Sequence, residues 1–188
     1  MIGKLLIAMV LSMVLSLNCY AETEEVSLRE KDLKSLVNNG DTLVKERKAV
    51  ELRKAIGQPE HNNINELMRK ISDSVDALYE YKIPDKPKNL PIGDYKRIRY
   101  GILVKPNLSK DEYKYIFYKF LFYITSMDND IDEITVLAYD NEDALDYFYN
   151  VASIEWCPQA DLETKMKKIA YSNDRGKYKI IIKWADKY

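Results

Sequence analysis

Few residues of this 188-residue chain could do chemistry, and their types exclude most of it. There is one histidine, His61, and there are two cysteines, Cys19 and Cys157. A serine or cysteine nucleophile needs a base within hydrogen-bond reach, usually an imidazole. His61 sits in the Asn-rich turn "GQPEHNN", with no second histidine to help bind zinc. Carboxylates, by contrast, are abundant. From Asp128 to Glu163 they recur without a single Lys or Arg. Two of them facing across a pocket, one with a raised pKa, could hydrolyse a glycosidic bond. "DNDIDE" opens like a calcium loop at Asp128, Asp130 and Asp132. It then has Glu133 where the sharp turn needs glycine and Tyr139 where a bidentate Glu belongs. It reads as a helix-to-strand turn. Gly93, Gly101 and Gly176 are isolated and make no phosphate loop. No metal and no cofactor is expected.

The cations offer binding chemistry instead. In "KRIRYGILVKP", Arg97 and Arg99 alternate away from Ile98 and Tyr100. In "GKYKIIIKW", Lys177, Lys179 and Lys183 alternate away from Tyr178, Ile180 and Ile182. If the two strands are close and share an outward face, five cations crowd one surface. An anionic partner or neighbouring carboxylates would then offset them. The plainer reading is a set of solvated edge-strand cations that discourage aggregation. Trp156 and Trp184 lie on apolar strand faces and belong to the core.

The elements that must position these residues begin after a leader. Lys4, the apolar run "LLIAMVLSMVLSL" and a small-residue site have the layout of a secretory signal peptide. The run is short of the roughly 20 residues a transmembrane helix wants. Cleavage after Ala21, with Cys19 at −3, leaves the acidic start "ETEE". Lipid attachment at Cys19 is the alternative, and Asn18 before it is a poor match. Either route leaves Cys157 without an intramolecular disulfide partner. Cys157 itself reads as a half-buried thiol at a strand end.

Residues 22–83 read as a helical arm. "SLRE" has the capping-box pattern at Ser27 and Glu30, and apolar residues then recur at helical spacing from Leu33 to Val50. "NNGD" either ends that helix at Gly40 or is crossed at a cost of about 1 kcal/mol. A second stripe runs from Ile64 to Tyr79, so the pair suggests a helical hairpin. "IPDKPKNLPIGDY" is a proline-punctuated connector, read as the linker 84–94. From residue 95 the pattern is strand, capped helix at "SKDE", then three more strands. The expected class is α+β: a helical hairpin packed on a strand-helix-strand-strand-strand domain with an antiparallel-rich sheet. The aromatic helix from Ser109 to Met127 is apolar on so much of its circumference that two covers are expected. They are the sheet and the arm.

"RYGILVKPNLSKDEY", "EITVLAYD" and "YNVASIEWCP" together resemble a family of small, mostly exported bacterial α+β domains of unknown function. That family pairs a strand ending in Val-x-Pro with a capped helix, then a V-x-x-Y strand and an A-x-x-E-W/Y-x-P strand end. The resemblance covers Tyr95 to Pro158 and departs at "PQAD", where a glycine is expected. It implies a fold and export, and no activity. The sequence therefore points to an exported cell-envelope protein, a non-enzymatic binding or interaction module. A carboxylate-dependent hydrolase is the alternative. The expected partner is a protein or an anionic envelope component, not nucleic acid, with membrane contact only through a lipid on Cys19.

Overall fold

The computed structural model describes residues 22–28, 30–56, 64–128, 130–145, 148–158 and 178–188. Their elements are β1 (Glu22–Leu28), α1 (Glu30–Ile56), α2 (Ile64–Leu78), β2 (Tyr81–Lys82), β3 (Lys88–Asn89) and β4 (Arg97–Val104). After these come α3 (Lys110–Met127), β5 (Glu133–Tyr139), a 3-10 turn (Glu142–Ala144), β6 (Ala152–Pro158) and β7 (Tyr178–Trp184). The class is α+β, with three helices and a seven-stranded mixed sheet.

Strands run in the order β1-β7-β6-β5-β4-β2, with β3 also paired to β4. Only β4 and β5 are parallel. A parallel pair cannot be joined by a tight turn, and α3 supplies the crossover. Side chains on a strand alternate between faces, and the apolar set here falls on one of them. Ile98, Tyr100, Ile102 and Val104 continue across the sheet into Ile134, Val136, Ile154, Trp156, Ile180, Ile182 and Trp184, all buried. Fully burying each such side chain is worth roughly 1.5–3 kcal/mol relative to exposure. This inner face receives α3. The Tyr100 and Phe120 rings meet edge-on at 5.2 Å, and Phe117 lies 6.1 Å from Trp184.

The capping box expected at "SKDE" forms. Ser109 accepts from the Glu112 N–H, and the Glu112 carboxylate accepts from the Ser109 N–H at 2.8 Å. Tyr113, Ile116, Phe117, Phe120, Leu121 and Ile124 are buried, and so are Tyr115 and Tyr118 on its flank. The second cover of α3 is α1, where Tyr115 donates to Asp41 at 2.8 Å. Helix α2 is tied to α1 by Lys48, which donates to Ser72 at 3.0 Å and to Asp76 at 2.7 Å.

One expectation is corrected and one open alternative is resolved. The "SLRE" box does not cap a helix: Ser27 lies in β1 opposite Lys179, and α1 begins at Glu30. The acidic start is an edge strand because distant lysines hold its carboxylates. Glu22 pairs with Lys110, Glu24 with Lys114 at 2.6 Å, and Glu25 with Lys179 at 3.2 Å. Helix α1 crosses "NNGD" without a break over 27 residues. The proline-rich connector carries β3, and with β2 it completes the outer edge of β4.

Candidate functional site

The sheet's other face carries the polar halves of the strands. In register across it lie Arg97 with Glu133, Arg99 with Thr135, Gly101 with Leu137, then Glu155 and Ser153 of β6, and Lys179, Ile181 and Lys183 of β7. The described cations of that set, Arg97, Arg99, Lys179 and Lys183, share this outward face. They do not crowd together, because β5 and β6 separate β4 from β7. Three strand spacings put them about 14 Å apart.

Two of these cations, Arg97 and Lys179, are paired with carboxylates. Arg97 holds Glu133 at 2.8 Å, and Glu133 is only 4% exposed. Tyr95 donates its hydroxyl to the same carboxylate at 3.1 Å. Burial, reinforced by that negative neighbour, holds the Tyr95 phenol far above its ordinary pKa. Lys179 pairs with Glu25, as above. Lys183 stands between Thr23 and Ser153 in register. Lys177 lies outside the described residues, as do Cys19, Ala21 and His61. The separated charge blocks of the sequence are thus stitched together in space. Lys96 binds Asp128 at 2.7 Å and its N–H donates to Asp132 at 2.7 Å, while Lys187 binds Asp140 at 2.5 Å. The parallel register of β4 on β5 is what sets Arg97 beside Glu133.

Arg99 is different. It faces Lys88 directly across the β3–β4 pair. Both are exposed, and among the described residues neither forms an ion pair with a carboxylate. They line a cleft of about 300 Å³ on the outer face. The sheet contributes Gly101, Leu137 and Tyr139 to its lining, the connector Pro84, Asp85 and Lys86, and the segment after β5 Leu145, Phe148 and Tyr149. Burial raises the Tyr139 phenol pKa, and the nearby Arg99 charge opposes that rise. Phe148 is 90% exposed, the most exposed large apolar side chain among the described residues.

Among the described residues the carboxylates show no comparable convergence. The outer-face cleft holds one, Asp85, and the groove between α1 and α2 holds one, Glu51. Where carboxyl pKa values shift clearly, they fall. Glu22 and Glu66 are lowered by hydrogen bonds from Lys110 and Lys70. Asp140 is pushed up by partial burial, but donors from Lys187, Asn150 and Tyr188 outweigh this. Among the described residues, no group of three or more His, Cys, Asp or Glu is placed to hold a metal ion. Cys157, expected half-buried, is fully buried one residue from the end of β6. Trp156 stacks on Tyr178 at 4.0 Å, and Trp184 donates to Glu24 at 3.2 Å, so both are core residues.

Of the cleft, alternation located only Arg99. Lys86 and Lys88 lie in what reads as a linker, and Phe148 in what reads as the start of a strand. The usable signal was Gly101, a lone glycine in an otherwise β-branched and aromatic strand, which often marks close approach of another group. No family model, characterised protein or solved structure matches this chain.

Proposed function

We propose that the protein is an exported, non-enzymatic binding module that takes an anionic component of the cell envelope on the outer face of its sheet. The observation that carries this is the cleft in which Lys86, Lys88 and Arg99 meet with no carboxylate paired to them among the described residues. Elsewhere on that face, Arg97 and Lys179 have carboxylates of their own. In this reading, α1 and α2 form a hairpin arm that backs α3 and leaves the outer face to the ligand. The likeness of Tyr95–Pro158 to small exported domains belongs to the same proposal.

The test is charge removal, one position at a time. Wild-type protein should bind an acidic polysaccharide with an affinity that falls as salt rises, because screening weakens exposed charges. Arg99→Gln should weaken binding about three- to tenfold, as loss of one exposed charge contact would. Lys179→Gln should leave it nearly unchanged. Binding that is identical in wild type and in the Lys88→Gln, Arg99→Gln double variant at every salt concentration would defeat the proposal.

Export makes a separate prediction. The mature protein should begin at Glu22, which is also the first residue of β1, and carry no lipid. Intact-mass measurement checks this, and a diacylglyceryl group on Cys19 would replace free export with membrane anchoring.

A further inference from the structure

We propose that the outer-face cleft recognises one acidic sugar ring, a saccharide unit carrying a carboxylate or a phosphate. This rests on the binding-module reading and names the ligand class for its site. Three features of the cleft each match one part of such a ligand.

The anion is matched by Lys88, Arg99 and Lys86. Lys88 and Arg99 are directly opposed on neighbouring strands. Like charges in that position repel, and an anion between them relieves the repulsion. Lys86 comes from a loop flanked by Pro84 and Pro87. Proline fixes φ, so this cation is held in place with less loop ordering left to lose on binding.

The ring is matched by the part of the lining around Gly101. Gly101 leaves a side-chain gap beside Leu137, its register partner on β5. Packing does not demand the glycine, since a Cβ there would meet only the Tyr139 ring, at an ordinary 3.7 Å. The gap is open space in a cleft that Tyr139, Phe148 and Tyr149 also line. A flat, partly apolar ring face fits it, and small-ligand sites pair such walls with a few convergent polar groups.

The hydroxyls are matched by Asp85, the one carboxylate on the cleft wall. It accepts hydrogen bonds and would repel a second anionic group. A ring with one anionic group and free hydroxyls suits this better than a polyanion does.

The test uses the full mature chain and four probes: glucuronate, glucose 6-phosphate, glucose and inorganic phosphate, followed by NMR titration. The two acidic sugars should bind with a dissociation constant of about 1 mM or below, and glucose and phosphate about tenfold more weakly. Gly101→Val should lose about tenfold for both acidic sugars while keeping the wild-type unfolding midpoint, since a β-branched side chain suits a strand. Should the valine variant not fold, Gly101→Ala fills part of the gap without a clash and should show a smaller loss. Phosphate binding as tightly as glucose 6-phosphate would overturn the ring part of the inference. Acidic sugars binding equally to wild type and a folded Gly101 variant would overturn the cleft assignment. If acidic polysaccharide still bound in a salt-dependent way, the binding-module reading would survive that result. Failure of every anionic probe to bind the wild type would remove both.

Discussion

Replacing Glu112 with alanine is expected to cost about 2–4 kcal/mol of folding stability, from a buried hydroxyl deprived of this acceptor and a broken capping box. Glu112 is 7% exposed and ties three segments together. One carboxylate oxygen accepts from the Tyr79 hydroxyl at 2.9 Å and from the Arg47 guanidinium. The other accepts from the Ser109 N–H and the Ser109 hydroxyl, each at 2.8 Å. It thus joins α1, the residue after α2, and the first turn of α3, where the helix dipole also favours a negative charge. After truncation Arg47, whose side chain is 34% exposed, can turn to water. Tyr79, 2% exposed, cannot. Its hydroxyl would stay buried without that acceptor. Glu112→Gln keeps the shape but turns an amide N–H toward one pair of donors, so it should cost less, about 1–3 kcal/mol. Urea unfolding at pH 7 measures both. An alanine variant within 1 kcal/mol of wild type would mean that the carboxylate is not what fastens α1 to α3.

Gly40→Ala should lower stability by about 1–3 kcal/mol, the usual range for overpacking. At an exposed helix position the same change gains about 1 kcal/mol. The sign reverses here because a Cβ would sit 2.0 Å from Cδ2 of Tyr115 and 2.7 Å from its Cγ. Those atoms are the base of a buried ring, not the tip of a flexible chain. The ring is further held by its hydroxyl bond to Asp41 and by edge-on contact with Tyr79 at 5.5 Å. To fit the methyl, α1 must shift off α3. Pairing Gly40→Ala with Tyr115→Ala removes the clash. The double variant should then be more stable than the sum of the two single losses predicts. Additive losses in urea unfolding would show that the two residues do not meet.

Much of the sheet could be read from the sequence because its signal is local. Ile98, Tyr100, Ile102 and Val104, like Tyr178, Ile180, Ile182 and Trp184, alternate with neighbours that include Arg97, Arg99, Lys179 and Lys183, and burial follows that alternation. The two Ser-x-x-Glu patterns mark the boundary of what local signals can do. At Ser109 the box forms. In the other pattern Ser27 lies in a strand, since the deciding partners are β7 and lysines far along the chain. The cleft was illegible for the same reason. Lys88 and Arg99 are eleven residues apart, and only the β3–β4 register sets them side by side. Phe148 reaches the cleft from beyond β5. Arg97 could be picked out as a cation, but the Glu133 that neutralises it is assigned by a parallel register that sequence periodicity does not encode.

The pairing of β1 with β7 has a kinetic side. Glu22 opposes Trp184 and Leu28 opposes Tyr178, so the first strand of the sheet pairs with the last. Contacts at such separation must meet the entropy of closing nearly the whole chain, which slows the steps that depend on them. A polypeptide that emerges N-terminus first, from a ribosome or through a pore, carries β1 unpaired until β7 arrives. The turn after β7 adds a tie between the helix layer and the sheet. Tyr188 reaches Tyr113 on α3 at 2.9 Å and Asp140 beyond β5 at 3.1 Å. Edge pairing of β1 therefore waits for β7, and a product truncated before Tyr178 would lack the strand that receives it.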